Sequence, residues 1–269
     1  MKRLGFIGVG NMGTAMLGGV ISSKILARKD IMASARSQST IDQVSSEFGI
    51  NTSLSSKEVA IFSDVIILAV KPNMIGRVLD DVTEGIDSKM LVISVAAGVT
   101  IDEIEDRIGD DKKIIRAMPN TPALVGEAMS SLSPNSNVTQ KDIEDAKEIF
   151  DSFGKTQVVE ESMIDAVIGV SGSSPAYVFM IIEAMADAAV VSGMSRKQAY
   201  EFAAQSVYGA AKMVLETKKH PGELKDMVCS PGGTTIKAVD VLEENGLRGV
   251  VMKGQLACVE ASKEMTKQK

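Results

Sequence analysis

The chain has 269 residues, which is enough for two domains of ordinary size or one large one. Its formal net charge of −6, without a basic cluster, makes nucleic acid and anionic membrane surfaces poor partners. Cys229 and Cys258 are too few for a disulfide framework and lack the spacing of a metal site, so we expect a cytoplasmic protein without metal.

Neither a signal peptide nor a membrane span is expected. The first predicted strand begins at Leu4, directly before the glycine turn, so we expect no room for a signal peptide ahead of it. The longest apolar run of the C-terminal half, residues 176–182, stops at Glu183 and is far too short to cross a bilayer.

The first predicted element is an apolar strand, Leu4–Val9, which a glycine-rich turn and a helical pattern follow at once. Gly8, Gly10 and Gly13 form Gly-x-Gly-x-x-Gly, the fingerprint of a dinucleotide-binding unit in this context. Gly8 permits the tight turn, Gly10 lets the backbone approach a pyrophosphate, and Gly13 lets the helix lie close to the strand. The N–H groups of the first helical turn attract phosphates. We therefore expect a nucleotide cofactor; the alternative is a glycine-rich turn that binds nothing.

The second strand, Asp30–Ala35, bears on the choice of cofactor. In NAD sites an acidic residue usually ends this strand and holds the ribose 2′-hydroxyl. Here the strand ends in Ser34-Ala-Arg36-Ser37, with a guanidinium and no carboxylate, which suits a 2′-phosphate better. We expect NADPH, with NADH still possible; the alternative is that Arg36 simply lies on a solvated loop.

Further buried strands alternate with helices over the first 160 residues. Such alternation predicts a doubly wound, mostly parallel sheet of Rossmann type, with its ligand beyond the carboxyl ends of the strands. Thr100 and Glu103 form a capping-box pattern at one helix start. The remaining predicted strands are 63–70, 90–95, 112–118, 125–132 and 156–159, and the helix between the last two is 138–150.

From Glu161 onward the pattern is entirely helical. The helix from Ser174-Pro175 to Gly193 is apolar nearly all round, and a domain of this size cannot bury every side of it. We therefore expect a homodimer with interlocked helical domains. The predicted division is a dinucleotide-binding domain over 1–160 and a helical substrate-binding and dimerisation domain over 161–269.

A second informative stretch is Ser230-Pro-Gly-Gly-Thr-Thr235. Ser230 can serve as N-cap with Pro231 at the first helical position, and such a helix start can hold a small carboxylate. The alternative is a capped helix with a tight entry. His220, the one histidine, precedes a proline and is expected on a surface turn, which disfavours acid–base chemistry by histidine.

Four motifs resemble the pyrroline-5-carboxylate reductase family in order and spacing: Ala69–Pro72, Arg116–Pro122, Gly172–Tyr177 and Ser230–Ile236. The resemblance covers nearly the whole chain. It implies reduction of 1-pyrroline-5-carboxylate to L-proline with NAD(P)H, the last step of proline biosynthesis. It also implies a swapped helical dimer, often assembled into a decamer.

The resemblance also implies roles for individual residues. Thr235 would bond the ring nitrogen as the catalytic contact. The substrate carboxylate would lie on Ser230, Gly233 and Thr234, with Glu161 near the substrate. Ser56 and Met227 stand where some members have asparagines that reach the cofactor. The cofactor residues would be Gly8, Val9, Gly10, Asn11, Met12, Gly13, Ser34, Arg36, Ser56, Ala69, Val70, Lys71, Pro72, Ala97 and Asn120.

The implied chemistry agrees with the scarcity of histidine. A cyclic imine is largely protonated near neutral pH, so the enzyme needs orientation more than a strong acid. A β-hydroxyacid dehydrogenase would carry a lysine on the helix after Pro175, and none lies between Pro175 and Gly193. An imine reductase for bulkier substrates, a dinucleotide sensor without turnover and, as the weakest option, a purely structural helical dimer are the remaining alternatives.

Overall fold

Eight strands of the described chain form one sheet, in the order β3-β2-β1-β4-β5-β6-β7-β8. The structure, a computed structural model, describes residues 3–267. Strand β7 is antiparallel to β6, and every other neighbouring pair is parallel. The strands β1 to β8 are Leu4–Ile7, Ile31–Ser34, Asn51–Ser53, Val65–Leu68, Leu91–Ser94, Lys113–Met118, Ala128–Pro134 and Gly154–Val158.

Helices cover both faces of this sheet, which explains why the central strands are continuous apolar runs. One face packs Phe6 and Ile67 in a cluster with Phe150 of the helix Gln140–Asp151. The other face packs Ile66 in a cluster with Leu79 of the helix Pro72–Val82. The helices α1 to α12 are Asn11–Ser23, Gln38–Phe48, Ser56–Phe62, Pro72–Val82, Ile101–Ile108, Gln140–Asp151, Ile164–Val167, Ser174–Val191, Arg196–Thr217, Pro221–Val228, Thr234–Glu244 and Leu247–Lys267.

These elements confirm the predicted doubly wound, mostly parallel sheet followed by helices. The capping box at Thr100 is present, with both reciprocal hydrogen bonds to Glu103. The strand predicted over 125–132 starts later, because Thr121–Val125 forms a 3₁₀ helix that Gly126 ends at φ +76°.

The described chain divides into two compact units. One comprises the residues up to Ser173 together with those from Cys258 onward, and the other comprises Ser174–Ala257. In the second unit, α8 packs on α9 around a small cluster of Ala186, Ala199 and Ala203. The predicted border near residue 160 stays a prediction.

Most of the apolar surface of α8 is exposed on the single chain. Phe179 and Met180 are exposed by 62% and 69%. By length and composition alone, the segment Glu161–Val191 is long and apolar enough to cross a membrane, a test that core helices of other proteins also pass, so the expected absence of a membrane span stays a prediction. These side chains require an apolar partner, as the sequence predicted for a subunit interface.

Candidate functional site

The glycine turn after β1 has the geometry that a dinucleotide fingerprint needs. Gly8 adopts φ +100°, and a Cβ there would lie 2.7 Å from the main-chain oxygen of Ala69. A Cβ at Gly13 would lie 2.4 Å from the main-chain oxygen of Gly8. Both glycines are therefore required by the packing of the protein itself, in the turn and against the helix.

Gly10 is different, because a Cβ at this position would meet no atom within 4 Å. It is also the N-cap of α1, and no side chain caps the N–H groups of that first turn. No atom of residues 3–267 fills this space, so a glycine here leaves room for a ligand to approach the backbone. The open helix start suits an anionic group such as a pyrophosphate.

A cavity of about 520 Å³ opens beside this turn, at the carboxyl ends of β1, β2 and β4. Its size and position fit a bound dinucleotide at the edge where open parallel sheets bind ligands. The predicted cofactor residues in its lining are Gly8, Val9, Gly10, Ser34, Arg36, Ser56, Ala69, Val70 and Lys71.

The other predicted cofactor residues lie outside this lining. Asn11, Met12 and Gly13 form the first turn of α1, and Pro72 begins α4 after its N-cap Lys71. Ala97 lies in the loop between β5 and α5. Asn120 is buried, and both ends of its side-chain amide hydrogen-bond within the chain, to the main chain of Ser171 and Met129.

The far end of the cavity is rich in hydroxyl groups and carries one cation. Ser34 and Ser56 bring their Oγ atoms within 3.4 Å of each other. Arg36 is exposed and makes no ion pair with any residue of 3–267. A guanidinium among hydroxyls fits the 2′-phosphate of NADPH, and no carboxylate from residues 3–267 lines the cavity to favour NADH.

Several lining residues were not predicted from the sequence: Ser37, Thr40, Leu54, Met74 and Val78. Ser37 had a usable signal, because a serine directly before a helical pattern is a common N-cap. Its Oγ accepts a hydrogen bond from the Thr40 amide at the start of α2. Leu54 has no such signal, since an isolated leucine after a polar strand resembles any loop residue.

Glu161 lies in the unit that contains the sheet, where it makes two contacts through one oxygen. Its Oε1 accepts hydrogen bonds of 2.9 Å from Nη1 of Arg116 and 2.9 Å from the amide of Ile101. Its Oε2 has no hydrogen bond within the described residues. The family resemblance implies that Glu161 lies near the substrate, which stays a prediction, and it does not predict this ion pair.

The Ser-Pro-Gly-Gly segment forms a turn that precedes α11. The Gly233 amide bonds the main-chain oxygen of Ser230 at 3.0 Å, and Gly232 adopts φ +68°. A Cβ at Gly233 would lie 2.4 Å from Oγ of Ser230, a side-chain atom that can rotate away, and 3.1 Å from the main-chain oxygen of Ser230, so the approach there is tight. The expectation that Ser230 is the N-cap was wrong: the N-cap is Gly233, and the helix begins at Thr234.

Because α11 starts at Thr234, the N–H groups of its first turn are open to a ligand. No side chain caps the first-turn N–H groups of α11, and Thr234 and Thr235 are its first two residues. Two hydroxyls beside free N–H groups suit a small carboxylate better than a self-capped start would. The cap thus lies at Gly233, and the carboxylate site at this helix start stays a prediction.

His220 is exposed and its Nδ1 accepts a hydrogen bond of 3.1 Å from the Gly222 amide, which caps α10. It is thus a turn residue, as the sequence indicated. Among residues 3–267, no group of three or more His, Cys, Asp or Glu side chains could hold a metal ion.

Comparison with protein families and curated proteins gives matches to both parts of the chain. Residues 3–98 match the family described as NADP oxidoreductase coenzyme F420-dependent, and residues 161–265 match pyrroline-5-carboxylate reductase dimerisation. A pyrroline-5-carboxylate reductase of Escherichia coli is 54% identical over 266 residues, which cover 99% of each chain.

Solved structures give the same similarity over the whole length. A pyrroline-5-carboxylate reductase from Coxiella burnetii has a TM-score of 0.93 and 35% identity, with 98% of both chains covered. A pyrroline carboxylate reductase from Plasmodium falciparum, solved with NADP bound, has a TM-score of 0.88 and 34% identity over 98% of both chains.

Proposed function

The chain belongs to the pyrroline-5-carboxylate reductase family, and we propose that it catalyses the NADPH-dependent reduction of 1-pyrroline-5-carboxylate to L-proline, the last step of proline biosynthesis. The observation that carries this proposal is its full-length similarity to reductases of that name. The open space at Gly10 beside the cavity supports the cofactor part of it.

We assign the cofactor to the cavity at the carboxyl edge of the sheet. The first turn of α1 would hold the pyrophosphate, and Arg36 with the hydroxyls of Ser34 and Ser56 would hold the 2′-phosphate. We propose NADH as the alternative cofactor. The residues proposed to hold NADPH are Gly8, Val9, Gly10, Asn11, Met12, Gly13, Ser34, Arg36, Ser56, Ala69, Val70, Lys71, Pro72, Ala97 and Asn120.

We assign the substrate to the open start of α11. The first-turn amides, with Ser230, Gly233 and Thr234, would hold the carboxylate, and Thr235 would contact the ring nitrogen as the catalytic residue. Glu161 would contact the substrate through Oε2, because Oε1 already bonds Arg116 and Ile101.

The proposed site residues orient the substrate and the cofactor, and none of them has to act as a strong acid. NADPH, when bound, supplies the hydride for the imine carbon. The ring nitrogen of a protonated imine already carries its proton, so Thr235 needs only to accept or share a hydrogen bond and fix the ring orientation. No histidine is required, which agrees with the capping role of His220.

The chain self-associates through its helical part, where the family's dimerisation model matches. We propose that the partner is a second copy in a swapped homodimer, that this copy covers the apolar side chains of α8, and that such dimers can assemble further into a decamer. A protein partner for this surface makes a membrane unnecessary, and we propose a cytoplasmic location. The domain border is proposed near residue 160.

The function is tested by absorbance of the reduced-nicotinamide band while the purified chain is incubated with 1-pyrroline-5-carboxylate. NADPH and NADH are supplied in separate reactions, and L-proline is identified as the product. We expect one proline per NADPH consumed. Turnover of bulky imines alone would favour an imine reductase, and NADPH binding without any turnover would favour a dinucleotide sensor.

A further inference from the structure

Arg116, the fourth residue of β6, carries a buried positive charge to which the proposed function gives no direct role. Arg116 is only 5% exposed, and Ile114 and Ile115 precede it in a strand of the sheet interior. Burial of a guanidinium is unfavourable unless the charge is paired. Glu161 supplies that pairing, with a distance of 2.9 Å between Nη1 and Oε1.

The pair also holds a helix start. The oxygen of Glu161 that bonds Arg116 accepts the amide of Ile101, the first residue of α5, at 2.9 Å. A carboxylate at this place satisfies a first-turn N–H and interacts favourably with the helix dipole. Arg116 thereby holds the Glu161 carboxylate at the start of α5.

Arg116 also lies beside the start of the loop that connects β5 to α5. Ser94, the last residue of β5, is in parallel register with Arg116, so their side chains lie on one face of the sheet. Ser94 and Ile101 bracket the β5–α5 loop, which contains Ala97, a proposed cofactor residue. Arg116 is thus adjacent to the loop where it begins and linked by Glu161 to the residue where it ends.

We propose that Arg116 is a positioning residue that fixes the β5–α5 loop, and with it the placement of the bound nicotinamide. This inference rests on the proposed function. Arginine is suited to this role because its rigid planar guanidinium holds Nη1 in a fixed direction toward Oε1, the one contact of this pair, whereas a lysine would give a flexible point charge. An apolar residue would fill the strand position but would leave Glu161 without its partner.

The test compares Arg116→Met, Arg116→Lys and the control Arg107→Met. Arg107 lies on α5 itself and pairs with Asp80 at 3.0 Å, but both side chains are largely exposed. Three measurements are made on each full-length variant: amide hydrogen exchange at Ile101 without cofactor, the NADPH dissociation constant from cofactor fluorescence, and kcat with KM for NADPH.

For Arg116→Met we expect the Ile101 amide to exchange roughly fivefold faster or more, as for the loss of about one hydrogen bond. The NADPH dissociation constant should change by less than about threefold, because the phosphates bind elsewhere, while kcat falls on the order of 10²-fold from misplacement. Arg116→Lys should recover part of both losses, and Arg107→Met should match the wild type.

The proposal is overturned if the Ile101 amide keeps its protection in Arg116→Met, or if kcat stays within about twofold of the wild type. It is equally overturned if kcat and thermal stability fall together and the lysine variant rescues neither. Should Arg116→Met fail to fold, Arg116→Lys against Arg107→Met carries the same comparison. If the wild type binds NADPH but reduces no substrate, the proposed function fails, and the exchange at Ile101 still decides whether Arg116 holds the loop.

Discussion

Nδ2 of Asn120 donates a hydrogen bond of 2.9 Å to the main-chain oxygen of Ser171. In a regular α-helix that oxygen would accept the amide of residue 175, but Pro175 has no N–H. The segment Ile168–Gly172 is a π-helical turn, and Oδ1 of Asn120 also accepts the Met129 amide at 3.0 Å. One buried side chain thus pairs two main-chain groups from distant parts of the sequence.

Replacement of Asn120 by alanine should therefore lower the free energy of unfolding by about 2 kcal/mol, because two main-chain groups lose their partner in a buried setting. Urea unfolding followed by circular dichroism measures this. Asn245→Ala is the matched control, since the exposed Asn245 follows the end of α11 and its side chain bonds the main-chain oxygen of Val241, one turn earlier. Equal stability of the two variants would contradict the structural role of Asn120.

The glycines of the fingerprint should separate stability from cofactor binding. Gly13→Ala should lower the melting temperature, because its Cβ would lie 2.4 Å from the oxygen of Gly8. Gly10→Val should leave the melting temperature close to that of the wild type and weaken NADPH binding roughly tenfold or more, because the side chain enters only the space left for a ligand. Thermal unfolding and fluorescence titration measure the two effects; a stable Gly13→Ala or tight binding by Gly10→Val would contradict the assignment.

Arg36 should determine the preference between the two nicotinamide cofactors. Arg36→Ala should raise KM for NADPH roughly tenfold, as for a lost charged hydrogen bond, and leave KM for NADH almost unchanged. The exposed side chain makes no ion pair with any residue of 3–267, so the fold should be unaffected. Steady-state kinetics with each cofactor measure the ratio, and a parallel rise of both KM values would reject a 2′-phosphate contact.

Asp142 should give the fold a pH-dependent contribution. Burial alone would raise its pKa, but hydrogen bonds from Thr139 and Lys113 outweigh this and hold the pKa below the ordinary 3.8. A lowered pKa means that the stabilisation is present above the unfolded value and is lost as the pH falls through the folded value. Asp142→Asn should cost about 1 kcal/mol at neutral pH and nothing in strong acid.

Urea unfolding at several pH values measures this difference. Asp111→Asn is the control, because Asp111 pairs with Lys112 while remaining 60% exposed. A difference between wild type and Asp142→Asn that persists unchanged below the folded pKa would contradict the account.

Local patterns predicted most of the sheet, and the exceptions have physical reasons. The strand Asn51–Ser53 is short and polar because it lies at the sheet edge, so it lacks the apolar run that marked the central strands. The helix expected from Ser230 starts at Thr234, because Gly232 takes up a positive φ that continues the turn. Glycine allows both a helix that starts at Ser230 and a turn that delays the start to Thr234. Sequence spacing alone cannot distinguish the two.

The site was predictable where one short segment determines it. The glycine turn is a local feature, and so is Arg36 with no acidic residue beside it. Both the turn and Arg36 line the cavity. The pairing of Arg116 with Glu161 joins residues 45 positions apart, and the Asn120–Ser171 bond spans 51 positions. No local pattern predicts such contacts, since they depend on how strands and turns pack in three dimensions.

The most direct test of the account is the rate of NADPH consumption with 1-pyrroline-5-carboxylate in the wild type, Thr235→Ser and Thr235→Val. We expect the wild type to form L-proline, the serine variant to keep most of the activity, and the valine variant to lose roughly 10-fold to 100-fold in kcat while it binds NADPH normally. A wild type that consumes no NADPH, or a valine variant as fast as the wild type, would contradict the account.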